Sequence, residues 1–395
     1  MMRWLAALLM CFGLTAAAVA QPAPTRVAIL GVEHAGQLVA RGDSPAHLAA
    51  FIRRMKPDAI CVERAPEPFA RGDQYEFTYE IQHVILPVAA AERIALCPFD
   101  WMPSGEDQKL GFGLDLEATP EVRQPEGFQG FLFFPEPATL KRTLFAADAP
   151  ASLQRYRDFA SIPAPQASRD IARRLYLYRT YMQAQRIRAA AKAHPGKTLL
   201  VVVGEFHKHD LEAILAGDKT IDLVQPSSFG APTDAEIAAS TTHAQLAAIL
   251  SFNLLGRQAA SGNLDLAWLG EVLAAFERDG GSEARLFRLR HDQLSGKLSG
   301  ANAAKAYRDL AKAPDQPFTW TGVEQGGRVD SFFDAYGNLT VAQRARIEAA
   351  KAMLPGKQRE ADALVAQVGA DLSPRKARQL DACWQREAQS ARAKR

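Results

Sequence analysis

The chain has 395 residues, 48% of them hydrophobic and 23% charged, an ordinary globular balance with ample apolar material for a core. Its formal charge of +3 falls to +2 once Arg3, the lone charged residue of the first twenty, is set aside. A charge that small argues against nucleic acid or a membrane surface as partner, and the length suggests roughly two domains.

Residues 1–20 read as a signal peptide. Arg3 supplies the positive start, an apolar stretch follows, and Ala18-Val19-Ala20 offers a small-x-small cleavage point before Gln21. Cys11 lacks the small residues that would precede a lipid-attachment site, and no later stretch has the length to span a bilayer. The mature chain is therefore expected to be periplasmic or secreted. It keeps Cys61, Cys97 and Cys383, an odd number that excludes a complete disulfide framework. Cys61 and Cys97 are expected either as buried apolar thiols or as one bridge in an oxidising compartment.

Over residues 21–230 strands alternate with helices. Residues 26–30 read as a buried strand, and "GDSPAHLAAFIRRMKPD" as a helix capped at Ser44, with Pro45 in its first turn. Leu48, Phe51, Ile52 and Met55 form one apolar face. A second strand spans 58–63. Residues 74–92 are mostly helical with a break at Pro87, and a third strand spans 93–100. Residues 103–168, rich in Gly, Pro and Phe, read as an insertion with short helices whose aromatic residues either roof a pocket or fill a satellite core. A long helix over 169–194 is expected to bury Ile171, Leu175, Tyr178 and Met182. The strand 198–203, a helix from 210 and a strand over 220–225 follow. This alternation predicts an α/β fold, a mostly parallel sheet flanked by helices. Residues 231–395 read as an all-helical C-terminal region, where Thr340 and Gln343 are placed as a capping box.

In a parallel sheet the residues just past the strand C-termini collect along one edge, where such folds bind ligands. His34 follows the first strand, Glu63 ends the second, Asp100 ends the third and His207 follows the strand 198–203. Both histidines close a Gly-x-x-His turn, Gly31 to His34 and Gly204 to His207, in which the glycine is expected to let the chain turn sharply. Two imidazoles with one or two carboxylates suit a divalent metal ion, Zn, Mn, Co or Fe. Such an ion would lower the pKa of a bound water from 15.7 to about 7. Glu33 or Glu205, inside the two turns, would take the water's proton or orient a histidine. The chain has no H-E-x-x-H and no G-x-S-x-G, and its "PGKT" at 195–198 lacks the first glycine of a phosphate loop.

The order of these elements resembles the TraB/TIKI superfamily, with its PrgY- and GumN-like members, inside a wider fold group of erythromycin-esterase-like and ChaN-like haem-binding proteins. The resemblance covers about residues 26–225. It rests on Gly31-Val32-Glu33-His34, on "PDAICVE" ending at Glu63, on Arg179 followed by Met182, and on Gly204-Glu205-Phe206-His207. It implies an α/β fold with a metal site at the two Gly-x-x-His turns and the strand-end Glu63, and TIKI-type proteins are described as metal-dependent proteases. Two features depart from the family. Tyr178 and Thr180 flank Arg179 where relatives carry an acid and a polar residue, and the soluble helical region replaces trailing membrane helices.

The expected function is an exported metal-dependent hydrolase acting on peptides. His34, Glu63 and His207 would be the metal ligands and Asp100 a further ligand or an orienter. Glu33 or Glu205 would be the base, and Arg179 would hold the substrate or neutralise an oxyanion. The alternative is a non-enzymatic periplasmic protein that binds haem, metal or a small ligand at the same edge and docks a partner through its helical region.

Overall fold

The computed structural model of the protein describes residues 23–393 apart from 114, 116, 117, 119, 124–131, 168 and 323–326. The segment 1–20, expected as a signal peptide, lies outside the described residues, as does part of the expected insertion. Five strands form one all-parallel sheet: β1 (Thr25–Val32), β2 (Ala59–Val62), β3 (Ala95–Pro98), β4 (Thr198–Gly204) and β5 (Ile221–Val224), in the order β3-β2-β4-β1-β5. The fold class is α/β, as the alternating pattern requires, with a helical C-terminal region. Among the described residues no helix is long and apolar enough to cross a membrane.

Alternation along β1 explains why both sheet faces are covered. Ala28, Leu30 and Val32 join a core that continues into C-terminal residues such as Phe252, Phe287 and Tyr307. Val27 and Ile29 face the other way, onto Ala184, Ile187, Leu211 and Leu215. The C-terminal region thus shares one apolar core with the sheet.

Cys61 and Cys97 are register partners on β2 and β3 and form a disulfide, while Cys383 is free and buried. The break expected at Pro87 is a π turn over Ile81–Ile85 followed by an α-helix, Leu86–Glu92. Proline in the first turn of that helix removes an N–H and crowds the turn before it, so the preceding turn widens. The insertion does contain short helical pieces, Gly105–Phe112, Pro137–Leu140 and Gln154–Ser161 among them.

Two expectations need correction. The helix after β4 begins at Glu205 and not at 210, so His207 sits in its first turn. The long helix, Asp170–Ala193, buries Arg173, Tyr176, Thr180, Gln183, Ala184 and Ile187, whereas Ile171 is 46% exposed and Tyr178 51% exposed. Its inner face is polar as far as Gln183 because that part supplies hydrogen bonds near the strand ends, while Ala184, Ile187 and Ala191 further along pack on the apolar sheet face.

Candidate functional site

The sheet register brings the two Gly-x-x-His segments together. β1 and β4 are parallel neighbours, with Gly31 opposite Val203 and Val32 opposite Gly204. β2 lies on the other side of β4, with Val62 opposite Val202, so Glu63 emerges beside Gly204. β3 flanks β2 and delivers Asp100 two residues past its end.

The glycines serve close approach and not a turn. A Cβ at Gly204 would stand 2.9 Å from His34 Nε2 and 3.5 Å from Glu63 Oε2. A Cβ at Gly31 would stand 2.8 Å from Ala147 Cβ and 3.1 Å from Glu205 Cα. The positive φ belongs instead to His34, at 45°, in the short helical turn after β1.

Arg179 is the hub. Its Nε donates to Asp100 Oδ1 at 2.9 Å and its Nη2 to Asp100 Oδ2 at 2.8 Å, a bidentate pair. Nη2 also donates to Glu63 Oε1 at 2.8 Å, and Nη1 to His207 Nε2 at 3.2 Å. Asp100 is fully buried and accepts in addition from Tyr75 Oη at 3.0 Å and Gln183 Nε2 at 2.8 Å. Glu63 Oε2 accepts from the Gly204 amide at 2.6 Å.

The two imidazoles are held differently. His207 Nδ1 lies 2.7 Å from Thr180 Oγ1, which itself donates to the Tyr176 carbonyl. Nδ1–H therefore donates to Thr180, and Nε2 is left as the acceptor that meets Arg179. Burial holds His207 well below the usual histidine pKa, and the Arg179 and His34 charges push the same way. His34 Nδ1 donates to the buried Glu80 at 2.8 Å, while Nε2 faces Glu63 Oε2 across 3.9 Å. Burial alone would lower its pKa, but Glu80 and then Glu63 outweigh that and push it up to about 9. Glu63 is raised by burial, against the pull of Arg179 and His34. Within the cluster His34 is the accessible group, with 22% of its side chain exposed against 5% for Glu63 and 4% for His207.

Glu33 and Glu205 belong to a neighbouring network. Glu205 Oε2 pairs with Arg142 Nη1, and its Oε1 accepts from Tyr156 Oη at 2.8 Å and Arg155 Nη2 at 3.2 Å. Arg142 also donates to Asp43 at 2.8 Å and to the Gly31 carbonyl at 3.2 Å. Burial raises the pKa of Glu33, and Arg142 opposes it. Tyr156 and Phe159 of the insertion pack on Phe206, so the insertion covers the first turn of the Glu205–Leu215 helix.

The sequence brings His34, Glu63, Asp100, Arg179 and His207 to attention, and all five converge. It gives no prominence to Glu80, Thr180, Tyr75, Gln183 or Arg142. The one signal available for Glu80 was an acid between Tyr79 and Ile81 in an apolar stretch, where a buried carboxylate demands a partner.

A divalent ion does not fit this arrangement. Both Nε2 atoms turn toward Glu63, at 3.9 and 3.7 Å, and each Nδ1 is fixed by an outer partner, as ligand histidines are. The Arg179 guanidinium, however, takes the His207 lone pair and one Glu63 oxygen, and the Gly204 amide takes the other. A second cation there would meet a fixed positive charge. Among the described residues no group of three or more His, Cys, Asp or Glu is arranged to hold a metal ion. No known protein family, curated protein or solved structure matches the chain.

Proposed function

We propose that the protein is an exported hydrolase of peptide or ester bonds, with its chemistry at the strand edge between His34, Glu63 and Arg179. The observation that carries this reading is the pair His34–Glu63: an imidazole held by Glu80 on one nitrogen and facing a carboxylate with the other, at the accessible end of a buried charge cluster. An oxygen placed between Nε2 and Oε2, 3.9 Å apart, hydrogen-bonds to both.

In this reading Glu63 takes a proton from water as the oxygen attacks the substrate carbonyl. Arg179, whose guanidinium is fixed by Asp100 and Glu63, turns its remaining Nη1 hydrogen toward the developing oxyanion. The His34 imidazolium donates its Nε2 proton to the leaving nitrogen or oxygen. The proton held by Glu63 then returns to His34. An imidazole pushed up by Glu80 and then Glu63 suits the acid, and Glu63, raised by burial against the pull of Arg179 and His34, suits the base. The Cys61–Cys97 bridge supports an oxidising compartment and hence export.

The test is a peptide and ester library offered to the mature protein with a chelator present. Turnover that survives chelation and is lost in both His34→Ala and Glu63→Gln is expected. Turnover untouched by either substitution would remove the site from the reaction.

A further inference from the structure

We propose that Glu33 recognises the free N-terminal ammonium of a peptide, so that the protein removes residues one at a time from that end. The inference rests on the hydrolase reading and names its substrate class. Between Val27 and Ala40 only Glu33 and His34 are not buried, so the chain reaches solvent there at two neighbouring side chains, a carboxylate and the proposed acid. Their Cα atoms are about 3.8 Å apart, as in any consecutive pair. Glycine at 36 leaves the room in which the carboxylate lies. A Cβ there would stand 3.0 Å from Glu33 Cβ and 3.1 Å from its Oε2.

Glu33 is the carboxylate of this edge that nothing inside the protein satisfies. Among the described residues its side-chain oxygens accept no hydrogen bond and make no ion pair. Asp43, Glu63, Glu80, Asp100 and Glu205 each pair with a cation. The neighbouring guanidiniums are committed elsewhere. Arg142 donates from Nε to Asp43, from Nη1 to Glu205 and from Nη2 to the Gly31 carbonyl. Arg155 turns to Tyr156 and Glu205. The charges that act on Glu33 are these two arginines against Glu205 and Asp43. Two of each sign cancel, so the charge of Glu33 itself is uncompensated. A half-buried carboxylate in that state suits a cationic hydrogen-bond donor from outside. The donor must lie close to the bond that is cut. An α-ammonium stands about 2.5 Å from the carbonyl carbon of its own residue, which suits a carboxylate one residue from His34. A lysine side chain carries its ammonium on a long stem and would reach past. Water adds to the first acyl carbon and the amide nitrogen leaves with the His34 proton. The products are one amino acid and a peptide shorter by one residue.

The test combines calorimetry with product analysis on the mature protein. The probes are Ala-Leu-Ala-amide, its N-acetyl form and N-acetyl-Lys-Leu-Ala-amide. The free peptide should bind at least about tenfold more tightly than its acetylated form, the size of a charge-assisted hydrogen bond, and should release alanine. Glu33→Gln keeps the shape and removes the charge, so it should bring that ratio close to one. Equal binding of the free and acetylated peptides, or an unchanged ratio in Glu33→Gln, overturns the inference, and cleavage that persists in either case leaves the hydrolase reading standing. An acetylated lysyl peptide that binds as tightly as the free one overturns it too, because a side-chain ammonium would then suffice. So does the absence of saturable heat from every probe. Preferential binding without release of alanine upholds the Glu33–ammonium contact and removes the hydrolase reading instead.

Discussion

Arg179 Nη1 stands 3.2 Å from His207 Nε2, on the lone pair that an ion would need. The guanidinium therefore occupies the centre of what would otherwise be a two-histidine, one-carboxylate set. Replacing it with an uncharged chain leaves Glu63 and Asp100 buried without their cation, a state that costs about 3–5 kcal/mol and that a metal ion relieves. Arg179→Met should bind Zn²⁺ at least about a hundredfold more tightly than the parent protein. Competition with a chromogenic chelator reads this directly. A parent protein that already binds zinc as tightly as the variant would contradict the geometry described.

Gly204→Ala isolates the close approach of β4 to His34. The new methyl would lie 2.9 Å from Nε2, so the imidazole must move off Glu63. Hydrolysis should fall about a hundredfold, the cost of roughly 1 Å of misplacement at a reacting group. The thermal midpoint should shift by only a few degrees. Retained turnover would mean that the His34–Glu63 spacing is not what the reaction uses.

The disulfide joins β2 and β3 just before each delivers its carboxylate to Arg179. With a sequence separation of 36 between the cysteines, loop-closure entropy gives about 4 kcal/mol of stabilisation. Cys61→Ala with Cys97→Ala should lower the unfolding free energy by that order, measured in denaturant. It should also weaken turnover more than an equally destabilising core substitution placed far from the sheet edge, such as Leu380→Ala.

Glu348 is fully buried in the C-terminal region and bonds Arg344 at 2.8 Å. Burial pushes its pKa up, but Lys351, Arg290 and Arg344 together bring it down to about 2. A depressed carboxylate stabilises the fold above its unfolded pKa near 4.5. That contribution, about 3 kcal/mol, is lost as the pH falls from 4.5 through 2. Glu348→Gln should be less stable at pH 7 and should lose less stability on acidification, as denaturant midpoints at pH 7 and pH 3 would show.

Much of the sheet edge was legible because strands announce themselves. β-Branched runs fix where β1, β2 and β4 lie, and parallel topology then requires His34, Glu63, Asp100 and His207 to share an edge. What sits between them was not legible. The long helix turns Tyr176, Thr180 and Gln183 inward while Ile171 and Tyr178 face outward, because partners for buried charges outweigh periodicity there. The partner of Glu80 and the Arg142–Asp43–Glu205 pairings depend on contacts between segments far apart in the chain, which a single sequence does not specify. The role of the motif glycines was misread for the same reason. Their constraint comes from atoms on other strands and not from their own backbone angles.

The central claim is that His34 is a stabilised imidazolium bridging Glu80 and Glu63. Its raised pKa means that its contribution to stability is complete below pH 6.5 and is lost as the pH rises through about 9. Nitrogen-15 chemical shifts of the histidine rings, followed from pH 5 to 10, measure this most directly. His34 should keep both ring protons through pH 8 and titrate near 9, while His207 stays neutral with its proton on Nδ1. A His34 ring that titrates at or below 6.5 would contradict the claim and take the proposed acid out of the mechanism.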